Sequence, residues 1–479
     1  TKNTFTGPGK RAAVCRAVPL SKSDIVRPAY RSLAQGIAGA ISAGSLRPGQ
    51  RLPTHRELAF QMDVSVQTVS RAYEELIRAG LVTGEVGRGT FVQIRTHEYD
   101  IMPWHTATTR RAATDLAMMT PVELPEMAEA WSAALHRIAD RMPGHMLHAL
   151  SPEQTEGRYA DMAATWLARC GLVVSRRHVL VTNGVTPATF TALAAVTNPG
   201  DVIATDPFTS HMLLPAAQHL HLGLRAIAGD DRGMIPEALS DAVRESSAPI
   251  KAVFLLPAGG GPTARFMDRD RREALAHAAD AAGLRIMECD PLGPLPARRP
   301  PPVASFVPGS AFYFTSMTKC LSAGLRLGFL VVPDDMVELT VNRHQSVSWM
   351  ATPIVAEIAA DWLETGTADT ILAAHRIELS ARNRTAQRIL PRSSGGLHGL
   401  HRWLPLPAGT DEAEFVAGLL DHDIALAPGS SFAVDTRDPA IRISLTRTGR
   451  GNLESSLKTI ASFLPELLEQ SNRPIGAAC

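Results

Sequence analysis

From Arg31 onward the apolar positions Leu33, Ile37 and Ile41 recur at helical intervals, and the run stops where Gly44 and Pro48-Gly49 interrupt it. Pro53-Thr54 then opens a short helix carrying Leu58 and Met62. A tight turn at residues 63–65 leads into a longer helix, with Ser65 placed as its N-cap because a hydroxyl there accepts from a free backbone amide. Val66, Val69, Tyr73, Leu76 and Ile77 form the expected buried stripe of that helix. Gln67, Thr68, Ser70, Arg71 and Glu74 lie wholly or partly off the stripe, and Gly80 is the expected C-cap. Two β-forming runs, Leu81-Val82-Thr83 and Thr90-Phe91-Val92, flank a Gly-rich tip that carries Arg88. Helix, helix, turn, helix and hairpin describe a winged helix-turn-helix.

Past residue 120 the pattern changes. Short β-branched runs alternate with helical stretches: Val179-Leu180-Val181-Thr182 before Asn183-Gly184, Asp201-Val202-Ile203-Ala204 before Thr205-Asp206-Pro207, and Ala252-Val253-Phe254-Leu255-Leu256 before Pro257. Leu284-Arg285-Ile286-Met287-Glu288 and Phe312-Tyr313-Phe314 continue the series, the latter ahead of Ser316 and Lys319. Such alternation predicts an α/β domain on a mainly parallel sheet, with ligands beyond the C-terminal ends of the strands. Residues 93–120 have no clear period and read as a linker. The expected division is a basic, flexible arm over 1–24, a winged helix-turn-helix over 25–95, a linker over 96–120 and the α/β domain over 121–479.

Composition agrees with two globular parts: 479 residues, 45% hydrophobic and 20% charged. The net charge of +1 conceals an asymmetry, because residues 1–95 hold 14 basic against 6 acidic side chains and the remainder 34 against 41. A basic end on an acidic body predicts a nucleic-acid contact confined to the first part. Five cysteines without a Cys-x-x-Cys pair argue against a disulfide scaffold or structural zinc, and no metal site is expected. With no long apolar run and no leader-like opening, the expected location is the cytoplasm.

Groove dimensions assign the basic module its chemistry. A major groove admits one helix, whose first residues reach base edges. Gln67, Thr68 and Arg71 are the candidates for base reading, Ser65 and Arg56 for phosphate contact, and Arg88 for the backbone or a minor groove. The stretch Leu52-Pro53-Thr54-His55-Arg56-Glu57-Leu58-Ala59, continuing through Ser65, Thr68, Val69, Arg71, Ala72, Tyr73, Leu76, Gly80 and Leu81 to Gly87-Arg88-Gly89-Thr90-Phe91-Val92, resembles the N-terminal domain of GntR-type bacterial repressors.

In the large half, Ser316-Met317-Thr318-Lys319 precedes Gly324, Leu325, Arg326, Leu327 and Gly328. A lysine beside hydroxyls after an apolar strand can condense with an aldehyde, and a guanidinium with a hydroxyl can hold a phosphate. These residues resemble those of fold-type I pyridoxal-phosphate-dependent aminotransferases, an α/β fold with a small α+β subdomain. With the N-terminal module, nearly the whole chain resembles the MocR subfamily of GntR regulators. The resemblance implies that Lys319 is the Schiff-base lysine and that Ser316 and Arg326 are phosphate ligands. It further implies that Gly184-Val185-Thr186 cradles the same phosphate and that Arg442 binds a substrate or effector carboxylate. It also implies a homodimer, double-stranded operator DNA as partner and a small amine or amino acid as effector.

The departures from that family bear on catalysis. Where an Asn or a His-Gln element usually precedes Pro-Thr-Gly, this chain reads Pro257-Ala258-Gly259-Gly260-Gly261-Pro262-Thr263-Ala264, leaving no side chain for the cofactor's ring oxygen. Glu288-Cys289-Asp290-Pro291-Leu292 puts Cys289 at the family's aspartate and Leu292 at its tyrosine. Asp290 substitutes only if the strand end shifts by one residue, which turns it to the other face. The ring-stacking tyrosine is missing after Asp206-Pro207, with Phe208, Thr209 and His211 as stand-ins. An aspartate at the pyridine nitrogen makes the ring an electron sink, so its loss depresses transamination more than cofactor attachment. The expectation is therefore a sensor with weak or no turnover. Two alternatives stand beside it: an active aminotransferase with a DNA-binding appendage, and a cofactor-free regulator whose large domain is a dimer scaffold.

Overall fold

The computed structural model describes residues 27–42, 45–46, 50–78, 81–85, 89–92, 114–148, 156–436 and 438–471. The expected arm over 1–24, Gly80, Arg88 and most of the expected linker lie outside these residues. The chain divides into two compact units, residues 1–98 and 99–479.

In the first unit, helices Ala29–Ser42, His55–Met62 and Val66–Arg78 are followed by an antiparallel hairpin, Val82–Glu85 against Gly89–Val92. Leu33, Ile37, Leu58, Met62, Val69, Tyr73, Leu76, Val82 and Val92 share one buried cluster. The second helix starts at a capping box, in which the Thr54 hydroxyl accepts from the Glu57 amide and the Glu57 carboxylate accepts from the Thr54 amide. Two members of the expected stripe are corrected: Val66 and Ile77 are each 47% exposed. The buried residues are Val69, Ala72, Tyr73 and Leu76, a stripe of 3.6-residue period. Val66 sits at the first helical position, and Ile77 is rotated about 100° past Leu76.

The second unit is built on a seven-stranded sheet in the order Val179–Thr182, Gly328–Val331, Ala311–Ser316, Arg285–Asp290, Ile250–Leu255, Val202–Thr205, Gly223–Ala226. All strands run parallel except Gly328–Val331, which is antiparallel to both neighbours. Alternation along each strand feeds two clusters. Met287, Cys289, Phe312 and Phe314 pack with Ala188 and Ala192 of the helix Val185–Val196. Ile286 and Tyr313 pack with Trp166 and Leu275 on the other side. A smaller three-stranded sheet places Ala440–Ser444 between His401–Pro405 and Ala427–Pro428.

The expected linker ends earlier than residue 120. Thr114–Asp115 pairs in parallel with Ile424–Ala425, and Leu116 is fully buried among Leu404, Ile441 and Leu453. Asp115 Oδ1 accepts from the Ala117 and Met118 amides, so this segment is a fixed part of the second unit. Among the described residues no helix is long and apolar enough to cross a membrane.

Candidate functional site

On the third helix of the first unit Gln67 and Arg71 are exposed, and they share a face because they are four residues apart. The Arg71 guanidinium lies over the Tyr30 ring at 4.7 Å, a cation–π contact that presents it from the first helix. Arg56 is exposed on the second helix. The Ser65 hydroxyl accepts from the Thr68 amide at 3.1 Å and meets the Thr68 hydroxyl at 2.8 Å. Ser65 is thus the N-cap its position suggested, and its hydroxyl and that of Thr68 are already engaged with each other. Tyr30 carries no motif, so only the fold reveals its place under Arg71.

In the second unit Lys319 follows the strand Ala311–Ser316 and is half-buried, with Nζ donating to the Met119 carbonyl. Burial, then the nearby Arg442 and Arg326, pushes its amine down to about 8. Ser316 is buried and pairs with Gly328 across the sheet. Gly184 is the N-cap of Val185–Val196 at φ +101°, a conformation that favours glycine. A Cβ on Gly184 would stand 3.9 Å from Arg326 Nη2. A Cβ on Gly328 would stand 2.8 Å from the Gly184 carbonyl carbon, so both glycines permit a close approach of backbones. Half-buried Val185 and Thr186 begin the helix. The result is a helix N-terminus facing a guanidinium, an anion cradle of two independent parts.

Arg442 sits on the central strand of the small sheet. Ile441 and Ile443 enter the cluster with Leu404 and Leu457, so Arg442 projects from the opposite face, where Trp403 and Phe432 lie. It is 4% exposed, donates to the Ala117 carbonyl at 2.7 Å and stands over the Phe432 ring at 4.6 Å. Its Nε has no hydrogen-bond partner, and among the described residues no carboxylate lies within ion-pair distance. Burial pushes the guanidinium down to about 10. Phe208 packs on Trp403 at 4.8 Å and His211 meets Phe432 at 6.0 Å, extending the aromatic wall beside Arg442. Thr209 is buried, its hydroxyl 2.7 Å from that of Thr205.

His401, which sequence reasoning passed over, is fully buried. Its Nε2 donates to the carbonyls of Gly261 and Pro262 at 2.9 and 3.1 Å, which leaves Nδ1 as an acceptor without a partner. Burial, then Arg442, keeps the ring neutral, with its pKa down to about 3.

These residues fit the aldehyde and phosphate ends of pyridoxal phosphate. Lys319 has an easily freed amine, and Gly184 with Arg326 makes the cradle. The ring end fits poorly. Cys289 lies in the apolar cluster with Ala188 and Phe314, and burial pushes its thiol well up, so it offers no negative charge to a pyridine nitrogen. The strand end is in register through Asp290 opposite Thr315, so no shift brings Asp290 to that face. Asp290 instead accepts from the Tyr313 hydroxyl at 2.6 Å and pairs with Arg299 on the far side of the sheet. At Gly261 the position of a Cβ is crowded by the Leu256 side chain at 3.1 Å.

The aminotransferase class I and II family matches residues 132–460. The chain belongs to this family. The bacterial regulatory proteins of the gntR family match residues 29–92, so the aminotransferase-like domain is joined to a GntR helix-turn-helix domain. The chain is thereby a transcriptional regulator with an aminotransferase-like domain, the combination of the MocR subfamily. It is 28% identical to the uncharacterized HTH-type transcriptional regulator YdeF of Bacillus subtilis, over 92% of this chain and 95% of that protein. It is 24% identical to the HTH-type transcriptional regulator TauR of Rhodobacter capsulatus, over 90% and 96%. A kynurenine aminotransferase structure from Pyrococcus horikoshii superposes with TM-score 0.69 at 20% identity, over 80% of this chain and 96% of that one.

Proposed function

We propose that this regulator reads double-stranded operator DNA with its winged helix and senses an amino acid or amine in its aminotransferase-like domain, through pyridoxal phosphate held by Lys319. The observation that carries the sensing is Arg442: a buried guanidinium with no acidic partner costs several kcal/mol, roughly, unless an anion completes it. An effector carboxylate supplies that anion. Lys319, Ser316, Arg326 and the Gly184-Val185-Thr186 turn hold the cofactor. When bound, that cofactor supplies an aldehyde for amines and a ring that accepts electrons.

Each residue of the chain then has a limited task. Lys319 presents a neutral amine near pH 8 rather than at an ordinary lysine's higher pH. The Val185–Val196 helix start and Arg326 orient the phosphate, and Arg442 orients the effector. Cys289 offers no charge that would hold a proton at the ring nitrogen, so turnover is weak. The protein acts in the cytoplasm as a homodimer, and two winged helices meet a repeated operator. The effector shifts the DNA-bound population only by its differential affinity for the two arrangements.

Two tests apply here. The rate at which the protein takes up pyridoxal phosphate should rise with pH through a midpoint near 8, because capture needs the neutral lysine. A midpoint near 10.5, the ordinary value for an exposed lysine, contradicts the assigned environment. On DNA, Arg71→Ala should lower specific over nonspecific binding by about 1–3 kcal/mol in a footprinting titration. Unchanged selectivity removes Arg71 from the reading face.

A further inference from the structure

A cavity of about 180 Å³ lies beyond the strands Val202–Thr205 and Ile250–Leu255, lined by Asp206, Phe208, Gly233, Arg265, Met267 and Asp438 among others. Neither Lys319 nor Arg442 lines it. Two of its walls carry opposite charges that do not meet. Among the described residues the Asp206 carboxylate and the Arg265 guanidinium make no hydrogen bond and no ion pair, although Arg265 is close enough to act on Asp206 electrostatically. Burial pushes the Asp206 carboxyl up to about 6, against the pull of Arg265. A half-buried carboxylate and a half-buried guanidinium face one small space without pairing, so among the described residues neither charge is met by a protein partner. Gly233 packs closely on Met267 in the cavity wall: a Cβ there would stand 2.6 Å from the Met267 side chain.

We propose that this cavity is a second, non-covalent site for a small zwitterion, a free amino acid whose ammonium meets Asp206 and whose carboxylate meets Arg265. The bridging molecule completes both charges at once, which neither a simple anion nor a simple amine does. Asp438 at the mouth is exposed and already accepts from the Thr436 hydroxyl at 2.9 Å, and it favours a further cationic group on the ligand. The cavity shares Phe208 and Gly261 with the region beside Arg442, but its two charged walls, Asp206 and Arg265, are not among the residues assigned to hold the cofactor or the effector carboxylate.

The test uses full-length protein carrying Lys319→Ala, which has no covalent anchor, titrated calorimetrically with glycine, L-alanine and L-lysine. At least one of the three is expected to bind. Adding either Asp206→Asn or Arg265→Ala is expected to weaken that binding about tenfold or more, since each removes a charge-assisted contact. Asp206→Asn keeps the side-chain shape, so it reports binding even if Arg265→Ala disturbs the fold. No binding of any probe, or binding that both substitutions leave unchanged, overturns the proposal. Because every arm lacks Lys319, a negative result leaves the lysine-anchored reading standing, and loss of the visible cofactor band in the parent protein leaves this one standing.

Discussion

Lys319→Ala is expected to abolish the visible absorbance band that develops when pyridoxal phosphate is added to the purified protein. The amine is the group in the site with a nucleophile's chemistry, and its surroundings prepare it: burial and two guanidiniums bring it down to about 8. Its neighbours at the phosphate end, the Gly184 turn and Arg326, remain in the variant and retain a weaker, noncovalent hold on the phosphate. The variant should therefore still bind pyridoxal phosphate by dialysis, at reduced affinity and without the band. The same substitution should leave operator binding intact and remove its response to amino acids, since the two units fold on separate cores. If the parent protein develops no band at all, the large domain is a scaffold without cofactor. If Lys319→Ala keeps the band, another amine holds the aldehyde.

Arg299→Met is expected to lower stability sharply. Arg299 pairs with Asp290 behind the sheet, and the Asp290 carboxylate, fully buried, also accepts from Tyr313 and from the Gly293 amide at 3.1 Å. Removing the guanidinium strands that carboxylate, and breaking one side of a buried pair costs about 3–5 kcal/mol. Thermal unfolding should shift down by several degrees, while the folded fraction still takes up pyridoxal phosphate with the parent's absorbance. That combination separates two roles for Asp290. A structural carboxylate changes stability alone. A carboxylate serving the cofactor ring changes the spectrum, and a spectral change would contradict the register that turns Asp290 away.

The legible parts were those written in local pattern. Strand positions such as Val179–Thr182 and Ala311–Ser316, and the Ser65 cap, follow from alternation and capping chemistry over a few residues. That Cys289 and Asp290 face opposite sides of the sheet was also readable, because successive residues of a strand alternate faces. What the sequence hid came from long-range contacts. The carbonyls of Ala117 and Met119, which hold Arg442 and Lys319, belong to a segment that lacks any periodic signal and is ordered by pairing with Ile424–Ala425. His401 reads as one polar residue in a strand, and only its two bonds to the Gly261 and Pro262 carbonyls reveal a fixed tautomer. Val66 and Ile77 failed for the converse reason: a helical period says which residues share a face, not where the core beneath them ends.

The proposed function rests on an aminotransferase-like body that keeps a lysine anchor and a carboxylate arginine but lacks the groups that drive turnover. Its most direct test is to load the full-length protein with pyridoxal phosphate, add a panel of amino acids, and follow the visible spectrum and keto-acid product together. A cofactor band that shifts on addition of an effector amino acid, with no sustained keto-acid release, is the expected result. Continuous keto-acid production over many turnovers would contradict it and make the protein an active aminotransferase that carries a DNA reader.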